Sequence, residues 1–201
     1  MKIIAAIPAR AGSKGLKNKN IFKINRKPLV HYTFSAFQKS NLSLGYILTD
    51  SKKIKNLASR YSIITDYNRP KKMSKDDTSM IDTIFHFSEW LIKNKINYDY
   101  LMILQPTSAL RTFNDINNAV KLVRKFKPNS LFSISESIEH PYETISKSKK
   151  NWKLIIKTKK KFTRRQDFGL ESFFINGAIY VAHKKLIKKK DSLRKKKKYT
   201  L

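Results

Sequence analysis

The chain has 201 residues and no cysteine, which excludes a disulfide framework, a thiol nucleophile and any zinc site built on cysteine. Hydrophobic residues make up 40% and aromatics 11%, enough to pack one core of ordinary domain size. Forty-four Lys+Arg against 14 Asp+Glu give a formal charge of +30, which on its face invites a nucleic acid or an anionic surface. Three features argue instead for lysine on solvent-facing positions. Lysines are scattered along the whole chain. Arginine, the usual base-edge and bidentate phosphate reader, is far scarcer, and Lys, Asn and Ile are abundant together, as AT-rich coding produces. Charge alone supports only non-specific phosphate contact, so nucleic acid is not the expected partner.

Residues 2–8 form a short apolar run stopped by Pro8 and followed by Arg10 and Lys14. That pattern predicts a first strand buried on both faces rather than a signal peptide. No segment reaches the roughly 18–20 uncharged apolar residues of a membrane span, so no membrane partner and a cytoplasmic location are expected. A loop rich in glycine and lysine runs to about Asn20. Pro28 then opens a helix-like stretch with Leu29, Tyr32, Thr33, Ala36 and Phe37 on one side. Residues 45–49 predict a second strand ending at Asp50, with Ser51 capping a helix that carries Ile54, Leu57 and Ala58.

A short third strand is expected over 62–65, a polar loop over 66–75, and a helix from Asp76 to about Lys93. Residues 100–104 predict a fourth strand, 114–126 a helix and 130–135 a fifth strand. Strand followed by helix, repeated, gives the expected fold class: α/β, a mostly parallel open sheet with helices on both faces. Over about 138–165 the rhythm breaks into a polar, lysine-rich stretch that is strand-like around 152–156. This predicts a small strand-rich excursion from a domain spanning 1–182. Residues 173–181 return as a strand, and 183–201 form a lysine-rich C-terminal segment.

Ligands of open α/β sheets bind beyond the carboxyl ends of the strands. Three loops stand at such ends. The first is Ala9-Arg10-Ala11-Gly12-Ser13-Lys14-Gly15, continuing to Lys19-Asn20. Its small residues let backbone approach a polyphosphate, and Arg10, Lys14 and Lys19 supply positive charge. It is not a P-loop, because Gly12 and Gly15 are too close and no Gly-Lys-Ser/Thr closes it; nor does it have Gly-x-Gly-x-x-Gly spacing. The second loop, Gln105-Pro106-Thr107-Ser108-Ala109-Leu110-Arg111, gathers hydrogen-bonding groups and reads equally as a capping turn or a ligand loop. The third, Asn176-Gly177 inside a strand pattern, signals a bulge or a backbone pressed close to a ligand.

Together, and with Thr49-Asp50-Ser51, Arg69-Pro70, Asp76 with Ser79 and Arg164-Arg165-Gln166, these loops resemble the acylneuraminate cytidylyltransferase family in order and spacing. That family comprises CMP-sialic acid synthetases and their legionaminic and pseudaminic acid relatives, and its fold is like that of nucleotide-diphospho-sugar transferases. The resemblance implies transfer of CMP from CTP to the anomeric hydroxyl of a nine-carbon acidic sugar, with release of pyrophosphate and with Mg²⁺ as cofactor. It implies that Arg10, Ser13, Lys14 and Lys19 hold the CTP phosphates and that Asn20 meets the ribose. Arg10, Lys14 and Lys19 are the implied catalytic cations. Arg69 and Ser79 would sit by the cytosine. Gln105, Arg165, Asn176 and Tyr180 would line the sugar-acid pocket, with either Arg164 or Arg165 meeting the carboxylate. Family members pair through the excursion, so a homodimer is expected.

The chain departs from this pattern in places. Lys17 and Ala109 stand where the family usually has proline, and Phe174 and Ile175 precede the Asn-Gly where a basic residue is common. The family normally closes on an Asp-x-Asp pair that binds Mg²⁺, and no Asp-x-Asp occurs in these 201 residues; Asp191 stands alone among lysines. Binding of CTP with slow turnover is therefore expected. The rival readings are a homologue that binds nucleotide with little catalysis and a basic nucleic-acid-binding protein on a similar sheet.

Overall fold

In the computed structural model, which describes residues 1–12, 15–16, 18–74, 78–148, 151–156, 164–169 and 171–188, strand β1 (Ile3–Pro8) is buried at all six positions. Successive side chains of a strand point to opposite faces. Ile3, Ala5 and Ile7 accordingly join one apolar cluster, and Ile4 and Ala6 join another. A two-residue hairpin follows, β2 (Lys23–Ile24) against β3 (Lys27–Pro28), turned by Asn25 and Arg26 at φ 48° and 65°. Helix α1 (Leu29–Gln38) starts directly after Pro28, as its sequence predicts. β4 (Gly45–Leu48) is buried throughout. A Cβ on Gly45 would lie 2.5 Å from the Phe37 ring, so only glycine lets α1 pack this close. α2 (Lys52–Ala58) is capped by the Ser51 side chain, which accepts from the Ile54 N–H at 3.4 Å.

The third strand expected over 62–65 is not formed. The chain makes only isolated parallel bridges, Tyr46 with Ile64 and Thr49 with Asn68, because a lone Ile63-Ile64 pair gives way to polar residues. α3 (Met80–Lys93) begins four residues later than Asp76 and is capped by Ser79, whose hydroxyl accepts from the Asp82 N–H at 3.0 Å and donates to its carboxylate at 2.7 Å. Asp76 itself lies outside the described residues. β5 (Tyr100–Ile103) precedes α4 (Phe113–Phe126), which opens on a full capping box between Thr112 and Asp115. β6 (Ser130–Glu136), β7 (Ile145–Ser148), β8 (Asn151–Leu154), β9 (Phe173–His183) and the short α5 (Lys184–Lys188) complete the described chain. Residues 189–201, Asp191 among them, lie outside it.

The main sheet has the order β4-β1-β5-β9-β6. β1 runs parallel to β4 and β5, and β9 is antiparallel to β5. α1, α2 and α4 pack on one face, α3 and α5 on the other. This is the expected α/β class, with an antiparallel strand within a mostly parallel sheet. The chain divides into two compact units, one of Met1–Phe132 with the chain from Gly177 onward, the other Ser133–Asn176. Within the second unit, β7 and β8 form an antiparallel ribbon exposed at every position. His140, Tyr142 and Phe168 pack their rings against one another there, with the His140 and Phe168 centroids 4.4 Å apart.

Candidate active site

β1, β4 and β5 end side by side at Pro8, Leu48 and Ile103, so the loops that follow them meet at one edge of the sheet. The Ala9 N–H donates to the Leu48 carbonyl and the Leu104 N–H to the Ala6 carbonyl, carrying the sheet pairing into the loops. A cleft of about 180 Å³ opens at this edge. From the first loop it is lined by Pro8, Arg10, Gly12, Lys19 and Asn20. Arg69 contributes from the stretch after β4, and Thr78, Met80 and Thr83 from the start of α3. Gln105, Pro106 and Thr107 complete it from the loop after β5.

Three cations, Arg10, Lys19 and Arg69, therefore face one cleft from positions far apart in sequence. The Asn20 side chain is buried and donates to the Arg10 carbonyl at 2.9 Å, fixing the backbone that carries the first of them. The Ala11 N–H donates to Asp50 Oδ1 at 2.8 Å, so the carboxylate after β4 clasps the same loop. Arg10 Nη1 donates to the Ser74 carbonyl at 3.2 Å, and Arg69 Nε to the Met73 carbonyl at 3.0 Å. Arg69 is only 7% exposed. Burial holds its guanidinium below the ordinary arginine pKa; the charges of Tyr67 and Asp50 pull it back up, and Arg10 pushes it further down. Behind it, burial pushes the Tyr67 hydroxyl up to about 12, and that hydroxyl is bonded to His86 Nδ1 at 2.8 Å. Convergent cations in a cleft with backbone amides and hydroxyls can hold a polyanion and neutralise charge that develops on it.

Of the residues singled out from sequence, Arg10, Lys19, Asn20, Arg69 and Gln105 are brought together in this cleft. Ser79 stands beside it, between Thr78 and Met80, with its hydroxyl taken up by the α3 cap. Tyr180 lies on β9 opposite Ile103, half-buried against the second apolar cluster. Gly177 has φ +75°, a conformation that side-chain-bearing residues rarely adopt, and this accounts for glycine inside the strand; the Tyr180 hydroxyl, 3.7 Å from where a Cβ would stand, is an ordinary contact. Asn176 belongs to the second unit, where its amide accepts from the Ser133 hydroxyl at 2.6 Å and donates to the Ser135 hydroxyl at 2.8 Å. Arg164 pairs with Asp167 at 3.0 Å. Ser13, Lys14, Lys17 and the side chain of Arg165 lie outside the described residues.

Thr78, Met80 and Thr83 were not foreseen as cleft residues. The signal existed: Ser79-x-x-Asp82 is a capping pattern that sets the helix start, and residues 80 and 83 then share one face of its first turn. Among the described residues no group of three or more His, Asp or Glu could cage a metal ion, and no helix is long and apolar enough to cross a membrane. The described residues therefore supply no three-ligand cage for Mg²⁺; Asp50, beside the first loop, accepts from Ala11 with one carboxylate oxygen.

Fold and cleft define an α/β protein with a cationic ligand site at the carboxyl edge of its sheet. The family model described as Cytidylyltransferase matches residues 4–200, and the chain belongs to that family. It is 34% identical over 136 residues to a CMP-N,N'-diacetyllegionaminic acid synthase of Legionella pneumophila, covering 67% of this chain and 58% of that protein. It is 33% identical over 194 residues to an N-acylneuraminate cytidylyltransferase of Escherichia coli O18:K1:H7, covering 91% of this chain and 42% of that one. The chain thus spans about half the length of these curated relatives. Its fold is similar to that of CMP:2-keto-3-deoxy-manno-octonic acid synthetase complexed with CTP, at TM-score 0.67 and 15% identity, over 96% of this chain and 78% of that one.

Proposed function

We propose that the protein transfers CMP from CTP to the anomeric hydroxyl of a nine-carbon acidic sugar of the sialic, legionaminic or pseudaminic type. The observation that carries this reading is the gathering of Arg10, Lys19, Asn20, Arg69 and Gln105 in one cleft at the carboxyl edge of β1 and β5. Family membership supports the nucleotide, and the named relatives act on sugars of this class.

In this reaction the sugar oxygen bonds to the α-phosphorus, the bond from that phosphorus to the bridging oxygen breaks, and pyrophosphate leaves with its electron pair. The hydroxyl proton passes to solvent. Such displacements depend on positioning and on neutralising charge at the transferring and leaving oxygens, so no covalent intermediate on the protein is needed. In this reading Arg10 and Lys19 hold the triphosphate, and Arg69 and the start of α3 meet the nucleoside. Gln105 and the loop after β5 are left for the sugar. Mg²⁺ enters this proposal as the companion of the triphosphate, held by phosphate oxygens and water.

A homodimer belongs to the same proposal. In the second unit Trp152 and Ile155 are each 60% exposed, with Leu154 and Ile156 beside them, and a second copy would cover this apolar stretch. The working location proposed is the cytoplasm, where CTP is made available. The test of the reading is pyrophosphate release with CTP, Mg²⁺ and a panel of the three sugar acids. Release above background with at least one sugar, dependent on CTP, is the expected result. No release with any of them would remove the transfer reaction.

A further inference from the structure

Arg111 does not itself line the cleft, but it holds the backbone of Gln105, which does. It is 6% exposed, and burial pulls its guanidinium down to about 10, against a weaker opposing pull from Asp115. Its Nη1 donates to the Gln105 carbonyl at 3.1 Å and to the Ala178 carbonyl at 2.7 Å, and its Nη2 to Thr33 Oγ1 at 2.7 Å. The buried Nε has no hydrogen-bond partner. One side chain therefore ties three elements together: the loop after β5, the start of the inner half of β9, and the middle of α1. All its acceptors are neutral. A buried charge held only by neutral oxygens is a costly device, and a merely structural role would be served by an apolar side chain of similar volume.

What the charge achieves is visible in the loop. The Ser108 N–H donates to the Gln105 carbonyl and the Arg111 N–H to the Ser108 carbonyl, so residues 105–111 form two successive turns. The side chain of Arg111 then reaches back and closes the turns on Gln105. Gln105, Pro106 and Thr107 are the part of this loop that faces the cleft. Ala178 follows Gly177, at positive φ, on the same strand that carries Tyr180.

We infer that Arg111 is a positioning residue that braces the Gln105–Thr107 wall against β9 and α1, and so sets the sugar side of the cleft without touching substrate. This rests on the reading of the cleft as a CTP and sugar-acid site. Arg111→Met keeps volume and removes every donor; Arg111→Lys keeps a cation but cannot span three acceptors. Thr33→Val removes one acceptor and serves as a milder variant should Arg111→Met not fold.

The experiment pairs amide hydrogen exchange with steady-state kinetics on the full chain. In Arg111→Met, exchange at Ser108 and Arg111 is expected to quicken by roughly tenfold or more, the size of one lost hydrogen bond to a charged group, while Ala5, bonded to Leu44, stays unchanged. The KM for the acidic sugar is expected to rise by a similar factor, with the KM for CTP within about threefold and Arg111→Lys between the two. Thr33→Val should move the same readouts by less. Unchanged exchange at Ser108, or sugar and CTP constants rising together with exchange loosened everywhere, would overturn the inference. If the unaltered protein releases no pyrophosphate, the function reading fails, and the exchange comparison alone decides whether Arg111 braces the wall.

Discussion

The two units of this chain solve the same problem in opposite ways. Met1–Phe132 with the chain from Gly177 buries β1, β4 and β5 on both faces, so that Ile4, Ile7, Ile47, Leu101 and Met102 are fully buried. Ser133–Asn176 leaves β7 and β8 exposed at every position, and its described residues include a small ring cluster of His140, Tyr142 and Phe168. The first closes its core with helices from its own sequence; the second carries apolar side chains, Trp152 and Ile155 among them, that stay exposed among the described residues. A ribbon of two strands is at best marginally stable alone in water. The difference teaches where binding chemistry and where association belong. A cleft needs rigid walls, and the first unit supplies them; the exposed ribbon is where the proposed second copy would pack.

The comparison is sharpened first by core truncation. Phe87→Ala, at a fully buried position on α3, is expected to lower folding stability by about 3–5 kcal/mol. Trp152→Ala, on the exposed ribbon, should change it by no more than about 0.5 kcal/mol. Its effect is expected in light scattering instead: the unaltered chain at twice its 23.5 kDa mass, the variant moved toward the single-chain value. Equal stability losses, or a single-chain mass for the unaltered protein at micromolar concentration, would break the comparison.

A smaller effect separates cations by place rather than by kind. Arg10→Ala and Lys19→Ala are each expected to weaken CTP binding by about 1.5–3 kcal/mol, the range for a lost charge-assisted contact. Lys53→Ala on the exposed side of α2 and Lys153→Ala on the ribbon should stay within about 0.5 kcal/mol. Titration calorimetry of the four variants reads this directly. If all four behave alike, the cleft cations are surface charge like the rest of the +30.

Much of this division was legible in the sequence, and the reasons are particular. β1 and β5 are short apolar runs of the kind only a doubly covered strand tolerates, and Ser51 sat where a cap was needed. Arg10, Lys19 and Gln105 could be picked out because their loops sit at strand ends, where backbone must meet ligand, whereas Arg69 and the role of Asn20 came only from the resemblance to the cytidylyltransferase family. The direction of β9 was not legible, because side-chain alternation is the same for parallel and antiparallel neighbours. The strand expected at 62–65 failed because two isoleucines satisfy an apolar pattern without giving a ladder to join. The place of α3 was misread by preferring the first acidic residue over the Ser79–Asp82 cap. Arg111 looked like one more polar residue of a ligand loop, since nothing in sequence distinguishes a guanidinium turned inward from one turned to solvent.

As proposed, the cleft between the first loop, Arg69 and Gln105 is built for CTP. The direct measurement is a thermal melt of the full chain with CTP, ATP and GTP, each with Mg²⁺ and at matched concentration. A ligand at about 100 times its dissociation constant stabilises a single-site protein by roughly 2.7 kcal/mol, which the melt resolves. The account predicts a clear upward shift with CTP that exceeds those with ATP and GTP and that is lost in Arg10→Ala. Equal shifts with all three nucleotides would contradict it, and would leave a cleft that binds triphosphates without reading the base.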